Sequence, residues 1–345
     1  MENTKIIYAP VESQIEKLKQ QGLVISDESA AKDALLQYGY TNLIKGYREP
    51  YTLKGEGTLS YQSGVTFEQI LSLYSLDNRL RSAVMSSMLD LEEHIKEAAA
   101  DVIAIAFGVH QDEYLKFSNY RDKKKGKPQF TLSGILDKMR KTLETDKNPI
   151  SYYSQKYDVV PPWILFKSVY FGTIVNFIHL FKPDQQVCMA SKLYGPNFSE
   201  AHVSLMIDTL FVCAEYRNLA AHGGRTYSHH CKRKVLLPNS KELGLRGFSK
   251  LFFLLQQLRY QKPYENLEYE LNTQINRHCN MFPKDTTYLA KILNVNIDEK
   301  SVVWLTGKDR DYHMERHCNG CVNPRSIELT TAEEEGYVPC VKCCK

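Results

Sequence analysis

The chain has 345 residues, room for two or three domains at roughly 100–200 residues each, with a formal net charge of only +4 and 24% charged side chains. No uncharged apolar stretch reaches the ~18 residues needed to span a membrane, and Met1-Glu2-Asn3-Thr4-Lys5 leads into no long apolar run. A membrane partner and secretion are therefore not expected, a cytoplasmic location is, and any affinity for nucleic acid must come from local patches.

Ile15 and Leu18 place a short helix that Gly22 ends; Ser26 or Asp27 caps the next, which runs through Leu35 and Leu36. From Phe67 through Ile70, Tyr74, Val84, Met88, Leu91, Ile95 and Val102 to Gly108, apolar residues recur at steps of four and three. That spacing predicts one long helix or two with a kink. Asp77 and Arg81 interrupt the apolar face; four apart, they can pair with each other or turn toward a neighbouring helix. Glu92 and Glu93 are candidates to orient a cation carried by another helix. Lys123, Lys124, Lys125 and Lys127 before Pro128 read as a solvated loop. The aromatic-rich stretch with Tyr152, Tyr153, Trp163, Phe166, Tyr170, Phe171 and Phe177 reads first as core, with nucleobase stacking as the alternative.

Val203, Ile207, Leu210, Ala214, Arg217 and Ala221 then build one helical stripe. It ends in Glu215-Tyr216-Arg217-Asn218-Leu219-Ala220-Ala221-His222-Gly223-Gly224. A guanidinium on an apolar stripe must be paired or aimed at an anion, because burying it alone is very costly. Asn218 and His222 lie four apart on one face, and the two glycines leave His222 in the last turn, where the helix dipole favours imidazolium. A cation beside a titratable imidazole suits RNA transesterification, in which one group moves protons and a cation stabilises the phosphorane. The competing reading is a structural arginine with a capping histidine. Arg225, Arg233 and Lys234 follow closely and are candidate phosphate contacts. Leu251, Phe252, Leu254, Leu255 and Leu258 form a last core helix before a polar region from Tyr260 to Asn280.

The character of the chain changes after that. Val302-Val303-Trp304-Leu305 reads as a strand, and Thr331 with Glu334 as a capping box for a short helix ended by Gly336. Cys318-x2-Cys321 and Cys340-x2-Cys343, with 18 residues between the pairs, fit a four-thiolate zinc site. Five of the nine cysteines fall in this tail, and a module so small ordinarily needs a metal or disulfides to fold. A reducing compartment favours the metal, and four thiolates leave zinc no open position, so its role is structural. His313, His317 and Cys344 are near enough to replace a cysteine.

Arg217-Asn218-x-x-Ala221-His222 followed by Gly223-Gly224-Arg225 resembles the R-x4-6-H signature of the HEPN superfamily. Further blocks resemble its Abi-like (abortive infection) branch: Gln14 to Lys19 before Gly22-Leu23-Val24-Ile25, Thr66 to Ile70 with Tyr74 to Arg81, and Pro161-Pro162-Trp163-Ile164 with Phe171-Gly172-Thr173. Lys167 stands where an acidic residue is expected after the Pro-Trp block, and Gly223-Gly224 replace bulkier residues. The tail, with Tyr312-His313 and Gly336-Tyr337-x-Pro339-Cys340-x-x-Cys343, resembles the zinc-binding module of Ada-type repair proteins, although Cys318 falls five rather than four residues after His313 and Cys321 is extra.

These resemblances imply a mainly α fold: an HEPN-type helical bundle over 1–270, a linker over 271–300 and a small zinc-binding α+β module over 301–345. They imply a metal-independent endoribonuclease, a toxin-like effector of bacterial anti-phage defence that works as a homodimer with motifs across its interface. Arg217 would hold the phosphate, His222 move the proton and Asn218 orient one of them. RNA is the implied substrate, and a small RNA or protein the implied regulator. The alternative is a non-catalytic HEPN module that binds RNA or a protein in phage defence. A third role, as target of a nucleotidyltransferase, would need a tyrosine where Gly224 stands.

Overall fold

The computed structural model describes residues 8–53, 59–122, 127–297, 302–307, 310–314, 318 and 324–344. Its helices are α1 (Val11–Gln20), α2 (Glu28–Tyr38), α3 (Phe67–Phe107), α4 (Gln111–Tyr114), α5 (Leu132–Leu143), α6 (Ile150–Tyr157), α7 (Pro162–Lys167), α8 (Phe171–His179), α9 (Pro183–Tyr194), α10 (His202–Ala221), α11 (Gly247–Gln256), α12 (Lys262–Met281) and α13 (Thr286–Leu293). The strands β1 (Val302–Leu305), β2 (Asp311–His313) and β3 (Arg325–Glu328), helix α14 (Leu329–Glu334) and strand β4 (Val338–Pro339) complete the chain. The fold is mainly α with a small C-terminal sheet, as the sequence predicts.

Two compact units divide it, one of residues 1–80 with 270–345 and one of residues 81–269. In the first, Ile15 and Leu18 of α1 are buried and Gly22 takes φ +88°, a left-handed conformation that suits glycine at a helix exit. Asp27 caps α2, accepting from the Ala30 amide at 2.9 Å. The periodic segment that opens in this unit is a single helix of 41 residues, α3, ended by Gly108 at φ +78°.

A buried polar knot lies in the same unit. Asp285 accepts from Tyr51 Oη at 2.7 Å and Gln69 Nε2 at 2.8 Å, and pairs with His278 Nε2 at 2.9 Å. The second nitrogen of His278 meets Ser72 Oγ at 2.9 Å. Burial works against the Asp285 carboxylate, but the hydrogen bonds from His278, Tyr51 and Gln69 outweigh it and hold its pKa below the usual range.

The region that reads as polar, Tyr260 to Asn280, is helix α12. Leu267, Leu271, Ile275 and Cys279, spaced four apart, are buried, and the polar residues around them, of which Thr273, Gln274 and His278 are buried too, hide that stripe in the composition.

The C-terminal sheet has strand order β3-β1-β2-β4, with β1 antiparallel to β2 and β3, and β2 parallel to β4. Val303, Leu305, Tyr312, Met314 and Ala332 form its small apolar core. Thr331 does not cap α14. The chain leaves β3 directly into helix at Leu329, so Glu328 is the N-cap and Thr331 is already inside the first turn.

In the second unit, α10 is packed by α8, α9 and α11. Its buried residues include Leu205, Met206, Leu210, Val212, Cys213 and Tyr216, which face several directions. The apolar surface is therefore wider than the predicted stripe, and Ala221 at its end is exposed. The aromatic segment divides: Phe166, Phe171 and Phe177 are core, whereas Tyr152, Tyr157 and Tyr170 are exposed.

Candidate functional sites

The end of α10 is built by a glycine pair. Gly223, at φ +69°, donates to Ala220 O at 3.2 Å, and Gly224 donates to Leu219 O at 2.9 Å. This is the Schellman arrangement, which closes the last carbonyls of the helix. A Cβ on Gly224 would meet Leu219 Cδ1 at 2.2 Å, so any larger residue there must displace the Leu219 side chain. The consequence is that His222 is the C-cap residue, with Asn218 one turn before it, and both side chains are exposed. Arg81 of α3 reaches the same corner, donating from Nη1 to Gly223 O at 3.4 Å, while Asp77 is buried and accepts from Tyr47 Oη at 2.5 Å.

Arg217 lies one turn back and turns inward. Its Nε sits 3.5 Å from Glu92 Oε2 of α3, and Glu92 Oε1 is 2.7 Å from Lys96 Nζ. Of the two candidate orienting residues, Glu92 holds the cation, and Glu93 faces solvent.

The cations after the motif serve different ends. Arg225 is exposed. Arg233 pairs with Asp208 of α10 at 2.8 Å and lies over the Phe211 ring, 4.2 Å from its centroid. Lys234 makes a surface pair with Glu242 at 3.2 Å. Behind them Glu215 joins His229 Nε2 at 2.8 Å and the Cys231 thiol at 3.1 Å; burial pushes that thiol up to about 11. Lys250 bridges the Cys231 and Arg233 carbonyls at 3.2 and 2.9 Å, fixing the path of the segment. Of the lysine loop, Lys123, Lys124 and Lys125 lie outside the described residues.

In the C-terminal sheet, strand register makes the second site. Parallel pairing of Asp311 with Val338 and Tyr312 with Pro339 carries His313 and Cys340 to neighbouring positions one residue on. His313, Cys318, Cys340 and Cys343 offer ligand atoms that all lie within 4.8 Å of one another. Cys321 and His317 lie outside the described residues. Cys344 is turned to the Tyr312 carbonyl, 3.4 Å away, and packs on the apolar core.

The spacing suits zinc. Bonds of about 2.3 Å to sulfur and about 2.0–2.1 Å to nitrogen in a tetrahedron put sulfurs about 3.8 Å apart and sulfur from nitrogen about 3.5 Å. Cys318 and Cys340 sulfurs are 3.8 Å apart, and Cys343 Sγ is 3.6 Å from His313 Nδ1. Burial, with Cys343 and Cys340 alongside, pushes the Cys318 thiol up to about 12. Cys340 goes the other way: although burial opposes it, the amides of Lys342 and Cys343 hold it below its usual value. A metal would displace the proton that burial favours on Cys318.

Residues 33–228 match the model of a family described as Abi-like protein, more than half of the chain. The chain belongs to the Abi-like family. Membership points to a function of the abortive-infection type. No curated protein and no solved structure matches the chain. The Abi-like segment contains Glu92, Arg217, Asn218, His222 and Arg225, and leaves Arg233, Lys234 and the thiolate cluster outside it. Within it, Lys167 pairs with Glu97 of α3 at 3.7 Å on the surface, which gives this unexpected lysine a local partner. From the sequence Lys96, four residues after Glu92 on a helix, reads as an ordinary surface pair, whereas both side chains are largely buried.

Proposed function

We propose that the protein is a metal-independent HEPN endoribonuclease that acts as a toxin-like effector of anti-phage defence. The observation that carries this reading is Arg217, held by Glu92 one turn before an exposed His222 at the end of α10. The 2′-hydroxyl of RNA attacks the adjacent phosphorus, a P–O bond forms, and the bond to the 5′-oxygen breaks. His222 takes or delivers the proton, Arg217 faces the charge that builds on the phosphorane, and Asn218 orients the histidine. One histidine per chain covers one of the two proton transfers. A homodimer supplies the second and completes the site.

The C-terminal cluster takes one structural zinc through His313, Cys318, Cys340 and Cys343, which stabilises a module with little apolar core of its own. Zinc there fixes the position of the strands and takes no part in RNA chemistry.

The buried ion pair of Arg217 also favours the second reading, an HEPN module that binds RNA or a protein and keeps the motif for packing. Induced expression separates the two. Wild type is expected to arrest growth, and His222→Ala and Arg217→Ala to relieve the arrest while retaining the helical circular dichroism signal. Loss of a proton-transfer group corresponds to ~10²–10⁴-fold in rate. Arrest by a folded His222→Ala protein would assign the motif to packing.

A further inference from the structure

We infer that Glu92, Lys96 and Arg217 form a pocket for one phosphodiester group, in which Lys96 is a second cation that touches the anion. The inference rests on the ribonuclease reading for its substrate class and adds a residue to it. Glu92 and Lys96 are four apart on α3 and so project to the same side, the side on which Arg217 of α10 meets the carboxylate. Lys96 Nζ is 2.7 Å from Glu92 Oε1, and Arg217 Nε is 3.5 Å from Glu92 Oε2. The side chains of Glu92 and Lys96 are only 10% and 11% exposed, and that of Arg217 25%.

Two features of this cluster point to a ligand. One carboxylate stands between two cations, leaving one positive charge in a largely desolvated place, where an unmatched charge costs several kcal/mol. Arg217 Nε and Glu92 Oε2 are moreover buried without a hydrogen bond, so the contact between them is coulombic and leaves directional bonds to be made. A phosphodiester brings one negative charge and several acceptor oxygens. The lysine ammonium carries three donors, of which Glu92 takes one, and Arg217 retains its guanidinium fork for a bidentate contact. The carboxylate then acts as a spacer that keeps the two cations poised at either side of the anion.

The rival account has Lys96 only neutralising Glu92. Binding of the full-length protein to a single-stranded 2′-O-methyl RNA, which cannot be cleaved by its own 2′-oxygen, distinguishes them when measured as a function of salt. Lys96→Met is expected to weaken binding about tenfold and to lower the salt slope by about 0.7, the value for one phosphate contact on a single strand. Lys96→Arg is expected to retain most of the affinity. The double variant Glu92→Gln, Lys96→Met removes the carboxylate that Lys96 would neutralise, so it stays testable if the single variant unfolds. If it binds as wild type does, or if Lys96→Met keeps the wild-type slope, the inference is overturned; reduced affinity in both supports it. Wild type that binds this RNA but leaves cleavable RNA intact removes the ribonuclease reading and keeps the pocket. Wild type that does not bind it removes the pocket.

Discussion

The motif end of α10 and the thiolate cluster of the C-terminal sheet both gather polar groups away from water, by opposite means. At the motif the cation is supplied by the chain, and its counter-charge comes from a helix more than a hundred residues earlier in sequence, Glu92 against Arg217. In the sheet the chain supplies four convergent ligand atoms. The first arrangement supplies its own counter-charge to Arg217. The second is a set of thiols and an imidazole that needs a metal to become a stabilising feature. The contrast teaches where sequence spacing is informative: ligand spacing in the tail is local, whereas the partner of a buried arginine is decided by packing.

Removing metal ligands should give the largest effect. With Cys340→Ser and Cys343→Ser together, zinc by metal analysis should fall from about one equivalent per chain to none. The strands from Val302 to Pro339 should lose their amide protection, since structural zinc contributes apparent free energies of about 10–16 kcal/mol in small modules. Unchanged zinc content would move the site to other residues and dissolve the contrast.

Next in size is the loss of the counter-charge at the motif. Glu92→Ala leaves Arg217 and Lys96 facing each other without a carboxylate, and should lower stability by about 3–5 kcal/mol in denaturant unfolding. Glu92→Gln should cost less. An unaffected midpoint would mean that the pair at 3.5 Å is not an energetic feature of the fold.

These two sites also show how far the sequence could be read. The mainly α class, the single run of α3, the Asp27 cap, the glycine stop after His222 and β1 were all written in local pattern: steps of three and four, a carboxylate before a helix, a pair of glycines. So was the gathering of cysteines in the tail, with His313 close enough to stand in for one of them. What could not be read depends on other parts of the chain. Glu92 and Glu93 are equal candidates in sequence, and only the contact of Arg217 with α3 selects Glu92. Nothing local announces that Arg233 pairs with Asp208 and lies over the Phe211 ring. Helix α12 was hidden because its apolar stripe is set among polar residues, several of them buried as well, which leaves a polar average, and the Thr331 box failed because β3 runs straight into its helix.

A smaller effect belongs to the polar knot at Asp285, which contrasts with the motif in having every bond of ordinary length. Asp285→Asn should lower stability by about 1.5–3 kcal/mol at neutral pH, the range for hydrogen bonds to a charged group. The sign with pH follows from the lowered pKa. The stabilisation is complete above the unfolded carboxyl value and disappears as pH falls through the still lower folded value, so the gap between wild type and Asp285→Asn should narrow only under acid conditions. A gap that widened on acidification would contradict the assignment of the charge to Asp285.

The smallest effect is at the helix stop. Gly224→Ala places a methyl into Leu219 and should cost about 1–3 kcal/mol, the usual range for overpacking, while displacing the turn that presents His222. Activity should therefore fall further than stability accounts for. A variant that lost stability alone would show that the orientation of His222 does not depend on this turn.

The most direct test of the account is the chemistry of the RNA ends. Purified protein is incubated with mixed cellular RNA in EDTA and the products are mapped, with His222→Ala in parallel. Attack by the internal 2′-hydroxyl predicts 2′,3′-cyclic phosphate and 5′-hydroxyl ends that appear despite the chelator and disappear in the variant. Products with 5′-phosphate ends, or cleavage only when magnesium is added, would make water the nucleophile and contradict it.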